Sequence, residues 1–129
     1  MNQPDPNDAI DVLSKIGGFE IGGLTGAILG AAAYRIPVVI DGFVAGAAAL
    51  LANGLCPEVK DYLIAAHVSS ELGHRVTLDY LKLKPLLDLE MRLGEGSGAA
   101  LAISIIEAAV KVLAEMATFV DAGISGKLE

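Results

Sequence analysis

Gly22, Gly26 and Gly30 recur every four residues in an otherwise apolar run from Phe19 to about Tyr34, and no other feature constrains the fold more. Residues four apart share one face of a helix, so the run predicts a helix with three missing side chains along one edge. Each mid-helix glycine costs about 1 kcal/mol relative to alanine, and close packing against a strand or another helix has to offset it. In a bilayer the same spacing would suggest a helix dimer. The longest run without a charge, Gly42 to Pro57, is too short for a span and contains Asn53 and Pro57, so no membrane is expected. Apolar residues make up 53 % of the chain, with few aromatics and no tryptophan. That composition suits buried α/β elements whose backbones approach closely. At 129 residues the chain can bury a core and is expected to form one domain, with residues 1–7 and 124–129 flexible.

Local patterns divide the chain further. Pro4 and Pro6 predict an extended entry, and Asn7 or Asp8 then offers an N-cap for a helix through Lys15 that stops at Gly17-Gly18. Ile36 to Ile40 is a short apolar run with β-branched residues, as in a buried parallel strand. It ends in Asp41-Gly42-Phe43 and is followed by the helical Val44 to Asn53, which Gly54 is expected to close. Asp61 to Val68 predicts a second buried strand, running into Ser69, Ser70 and Glu71. Arg75 to Leu81 reads as helix, Pro85 interrupts it, and Leu86 to Leu89 is expected to be extended. The last helix runs from Ser97 or Gly98 to about Val120, with Glu107, Lys111 and Glu115 forming a solvated stripe. The fold class is therefore α/β and helix-rich, with short parallel strands and packed helices.

The candidate chemistry lies in loops at the carboxyl ends of these strands, where open α/β sheets bind ligands. Asp41 is either a ligand contact or a helix N-cap, and spacing alone does not separate the two. Met91 to Ala100 reads M-R-L-G-E-G-S-G-A-A, with Glu95 among alternating glycines directly ahead of the last helix. Glu95 either complements the helix dipole or handles a substrate proton in space cleared by the glycines. Ser97 is not in a G-x-S-x-G elbow, and no glycine cluster continues into a Walker A sequence or forms G-x-G-x-x-G. His67, His74 and the single Cys56 fall short of a zinc set, so no metal and no cofactor are expected, and His67 reads as a core histidine. A lone cysteine allows no intramolecular disulfide, and the polar, acidic first residues show no secretory pattern, so cytoplasm is the expected location. A net charge of −7 leaves no basic face for nucleic acid. The loops together offer carboxylates, a hydroxyl and an arginine, a set suited to a phosphorylated sugar and a displacement assisted by one general base.

Five blocks then carry a resemblance: G-G-F-E-I at Gly17 to Ile21, P-V-V-I-D-G-F at Pro37 to Phe43, D-Y-L-I-A-A-H at Asp61 to His67, Glu-x-Gly-His at Glu71 to His74, and L-L-D-L-E-M-R-L-G-E-G-S-G-A-A-L-A at Leu86 to Ala102. In this order they resemble the C-terminal part of the nicotinate-nucleotide–dimethylbenzimidazole phosphoribosyltransferase family. The resemblance implies a Rossmann-like phosphoribosyltransferase fold and a glycosyltransferase of cobalamin lower-ligand synthesis. Its members move phosphoribose from nicotinate mononucleotide to 5,6-dimethylbenzimidazole, giving α-ribazole phosphate and nicotinate. It also implies that Glu95 is the general base, that Leu93 lines the base pocket, that Gly94 contacts substrate, and that Asp41, Gly42, Ser69 and Arg92 surround the ribose and phosphate. The family's earlier strands, a second glutamate and a G-I-G-N phosphate loop have no counterpart here. An isolated chain is therefore expected to be inactive, and to act as a homo-oligomer or with a complementary N-terminal chain. The alternative is a non-catalytic binding or assembly module.

Overall fold

In the computed structural model residues 3–123 are described, and the expectations for residues 1, 2 and 124–129 lie outside them. Helix α1 spans Ala9–Ile16, and the Asp8 carboxylate caps it by accepting from the amides of Ile10 and Asp11. Helix α2 spans Phe19–Ala33. Strand β1, Val38–Ile40, leads into helix α3, Phe43–Leu55, and a 3₁₀ helix at Pro57–Tyr62 precedes strand β2, Leu63–Ala65. Helices α4, Leu72–Leu81, and α5, Ser97–Glu115, complete the described chain.

The two strands are parallel, with Val38, Val39 and Ile40 opposite Leu63, Ile64 and Ala65. The β1–α3–β2 connection is the β-loop-α unit that the apolar run and Asp41-Gly42 predict. Strand β2 is shorter than expected because Asp61 and Tyr62 close the 3₁₀ helix, although pairing continues beyond it. The Leu86 and Leu87 amides donate to the Ala65 and Ala66 carbonyls at 3.0 Å, and His67 bridges Leu87 in parallel. The Leu86–Leu89 segment thus runs alongside the end of β2 through an isolated bridge at Leu87, without forming a strand of its own. Gly54 lies inside α3 rather than closing it, because the Cys56 amide still reaches the Ala52 carbonyl at 2.9 Å. The last helix stops at Glu115, short of Val120.

The core lies on one face of the sheet, where Ile40, Leu63 and Ala65 meet Ala48, Ala49 and Ala52 of α3, with Ile28, Val59, Leu78 and Leu81 around them. Small residues let α3 sit between α2 and α4, and at Gly46 a Cβ would stand 3.1 Å from Thr77 Cγ2 and 3.2 Å from His74 Cδ2. The stripe in α2 behaves differently from the expectation. Helix α2 packs on α3 through Thr25 and Ile28, while a Cβ at Gly26 or Gly30 would meet nothing within 4 Å. Helix α5 crosses the opposite face of the sheet, where Ile103, Ile106 and Val110 form a groove with Val39 and Ile64. By length and composition this 19-residue helix could cross a membrane. One such helix does not distinguish a span from a helix packed within a protein, and most of its apolar surface is exposed here.

Candidate active site at the strand carboxyl ends

Parallel pairing brings the ends of β1 and β2 together, and α5 starts beside them. Asp41, one residue past β1, accepts a hydrogen bond from the Ala99 amide at 2.9 Å. Of the two readings of Asp41, helix capping is the one on view, but the capped helix is α5 and not its own α3. The N-cap of α3 is Gly42 and that of α5 is Gly96, and neither helix has a side-chain cap from its own sequence. A carboxylate there satisfies one free N–H and complements the positive end of the helix dipole.

Gly94, Glu95 and Gly96 all have positive φ, at 77°, 55° and 75°. For glutamate this region is unfavourable, and such strain concentrates at functional loops. The turn is closed by the Ser97 amide donating to the Gly94 carbonyl at 3.0 Å. Its effect is to hold Glu95 exposed at the helix entrance, with no hydrogen bond or ion pair to its side chain among the described residues. Leu93 beside it is 76 % exposed, a large apolar side chain without cover. Gly98 needs no special φ, and its role is one of space, because a Cβ there would overlap the His67 ring, lying 2.7 Å from Nε2.

Ser69 and Arg92 come together in an open cleft that Ser70, Glu71, Arg75, Asp88 and Glu90 also line. The Ser70 amide donates to the Met91 carbonyl at 3.2 Å, which ties the β2 loop to the segment leading to Glu95. Arg75 pairs with Asp88 at 3.3 Å, and both are well exposed. The cleft mixes two arginines with hydroxyls and carboxylates, as a sugar phosphate would require. Asp41 and Gly42 do not line it; they lie under the start of α5.

His67, which the sequence reads as a core histidine, and His74 both lie against this candidate site. His67 is 2 % exposed, its Nε2 lies 3.8 Å from Asp41 Oδ1, and the His67 and His74 rings meet edge to face at 6.1 Å. His74 Nδ1 accepts from the Ser69 amide at 2.9 Å. The rule that singled out Asp41, a polar residue at a strand end, would have found His67 as well.

His74 gives a pH dependence. Burial, with a smaller contribution from neighbouring His67, holds its imidazole below the ordinary histidine range against an opposing pull from Asp41. Below about pH 6.5 the unfolded chain then binds more protons than the folded one. Stability present at pH 7 is therefore lost as pH falls from about 6.5 through the depressed folded value. His74→Asn keeps an acceptor for the Ser69 amide without titrating. Urea midpoints measured at pH 7 and pH 5 should converge for this variant and fall with acid for the parent; equal acid losses in both would remove His74 as the cause.

Comparison with known proteins bears on the family and the fold. The phosphoribosyltransferase family model DBI_PRT matches residues 1–124. A nicotinate-nucleotide–dimethylbenzimidazole phosphoribosyltransferase from Roseiflexus is 63 % identical over 129 residues, covering 100 % of this chain and 36 % of the relative. One from Dehalococcoides mccartyi is 61 % identical over 127 residues, covering 98 % and 36 %. The crystal structure of the Thermus thermophilus enzyme of that name superposes with a TM-score of 0.88 at 43 % identity, over 93 % of this chain and 36 % of that one. The chain thus spans about a third of the length of the relatives it matches.

Proposed function

Because this chain belongs to the nicotinate-nucleotide–dimethylbenzimidazole phosphoribosyltransferase family, we propose that it supplies the general base and part of the sugar-phosphate pocket for that reaction. The observation that carries this reading is the Gly94–Glu95–Gly96 turn, three consecutive left-handed residues that present one unpartnered carboxylate beside the strand ends. Glu95 takes the proton from one nitrogen of 5,6-dimethylbenzimidazole while the other attacks the anomeric carbon of nicotinate mononucleotide. The carbon–nitrogen bond to nicotinate breaks, its electron pair leaves with nicotinate, and the anomeric configuration inverts. Leu93 lines the base pocket, Gly94 contacts substrate, Ser69 and Arg92 bind the sugar phosphate, and Asp41 and Gly42 support that region. No metal or cofactor takes part.

The chain acts as one domain in the cytoplasm, completed by a complementary N-terminal chain or by its own copies. Support comes from its uncovered apolar surface, with Val110, Val112 and Leu113 of α5 exposed and the Gly26–Gly30 edge of α2 open. The same surface favours a second reading, an assembly module without turnover. Release of nicotinate from nicotinate mononucleotide separates the two. It should be measured with and without dimethylbenzimidazole, for the chain alone and mixed with a polypeptide carrying the N-terminal two-thirds of a relative. Acceptor-dependent release in either setting supports catalysis. Its absence in both, despite a complex on a sizing column, would leave the assembly module.

A further inference from the structure

We propose that His67 is a positioning residue for the Glu95 loop: its buried ring is the seat for the first turn of α5, and it steadies the Asp41 carboxylate that caps that helix. The inference rests on the reading of Glu95 as the general base and deepens it.

The strand register puts the two residues where they can act together. Ile40 lies opposite Ala65, so the next residues of both strands, through Asp41 and His67, leave the same end of the sheet. Two glycines lie near the His67 ring there, Gly98 tightly and Gly42 at ordinary contact distance. A Cβ on Gly42 would stand 3.5 Å from Nε2, and one on Gly98 would overlap the ring and lie 2.8 Å from Cγ. Gly98 has ordinary helical backbone, so what it contributes is closeness: the first turn of α5 rests directly on the imidazole. Ala99, the next residue, donates to Asp41, whose Oδ1 stands 3.8 Å from His67 Nε2. Helix α5 therefore takes its cap and its seat from strand ends distant in sequence. Glu95 is three residues before Gly98, across the tight Gly94–Ser97 turn, and moves with that seat.

The chemistry of the ring argues for more than filled space. Neither His67 nitrogen has a hydrogen-bond partner among the described residues, although the side chain is buried. An apolar side chain of that size would avoid the unfavourable burial of unpartnered polar atoms. The imidazole offers what an apolar ring cannot, a polar ring edge facing Asp41. Its other neighbour, His74, holds the Ser69 amide, so one buried histidine pair underlies all three loops of the site.

The test reads amide hydrogen exchange of Ala99 in the 129-residue chain by NMR, relative to a core amide such as Ala49, and needs no turnover. Gly98→Ala should speed Ala99 exchange at least tenfold, on the order expected when a capped first turn is displaced. Adding His67→Ala should return most of that protection, because the methyl then occupies the vacated space. His67→Phe, which keeps the ring and removes the nitrogens, should speed Ala99 exchange severalfold while leaving the core amide unchanged. Additive effects of Gly98→Ala and His67→Ala, without rescue, would overturn the seat. Parent-like Ala99 exchange in His67→Phe would reduce His67 to filling. If Gly98→Ala does not fold, the His67→Phe comparison decides alone. Failure here would leave Glu95 as the base, whereas a failed nicotinate assay would leave the exchange result intact.

Discussion

Glu95→Gln is expected to lower acceptor-dependent nicotinate release by roughly 10²- to 10⁴-fold in the completed site, the range for loss of a positioned general base. Glutamine matches glutamate in size but cannot take the benzimidazole proton at neutral pH. The loss should fall on turnover, with little change in KM for nicotinate mononucleotide, because the missing step acts on the acceptor. Folding should be nearly untouched. The Glu95 side chain is exposed and makes no hydrogen bond or ion pair among the described residues, so the stability change should stay within about 0.5 kcal/mol. Steady-state kinetics and a urea titration on the same preparations would check both halves. Retained turnover would remove Glu95 as the base, and an equal fall in stability would make the kinetic loss indirect.

Leu81→Ala should cost about 2–5 kcal/mol of folding stability, the largest effect expected from a single core truncation here. Leu81 is 1 % exposed and is the largest of the fully buried side chains. It ends α4 where Lys82 turns left-handed, at φ 54°, and the Leu83 amide returns to the Leu78 carbonyl at 3.0 Å. That closed end gives the surroundings little freedom to collapse into the space left behind. Since whole domains are stable by only about 5–15 kcal/mol, the variant should unfold at markedly lower urea. Leu113→Ala is the control, because its side chain is 89 % exposed and its removal should change the midpoint little. Similar losses at both positions would mean that α5 is covered, as in a self-associated chain.

The residue patterns were legible where structure is local. The Asp8 cap, the Gly17-Gly18 stop and the apolar run before Asp41-Gly42 each act within one helical turn or one strand, and the elements appear where they predict. Boundaries that depend on neighbours moved. Gly54 stays helical because the Cys56 amide still finds the Ala52 carbonyl, and Asp61 and Tyr62 belong to a 3₁₀ helix. The geometry of the candidate site was legible in part: the loops carrying Ser69 and Arg92 do meet in one cleft, and His67 and His74 were not included among the candidates.

Glycine shows the division most clearly. Periodicity in α2 pointed to close approach along Gly22, Gly26 and Gly30, yet among the described glycines the closest approaches to residues distant in the chain are at Gly98, against His67, and at Gly73, against the Phe43 ring. By itself the sequence determined the helices, the parallel strand–loop units, the family and the carboxylate that stands in the left-handed turn. Only the tertiary structure decided that Asp41 caps α5, 58 residues away from its hydrogen-bond partner, and that His67 lies under Gly98. The reason is physical. Periodicity, caps and turns are set by forces between near neighbours in the chain, whereas a cap or a seat offered by another element exists only after the strands have paired and brought their ends together.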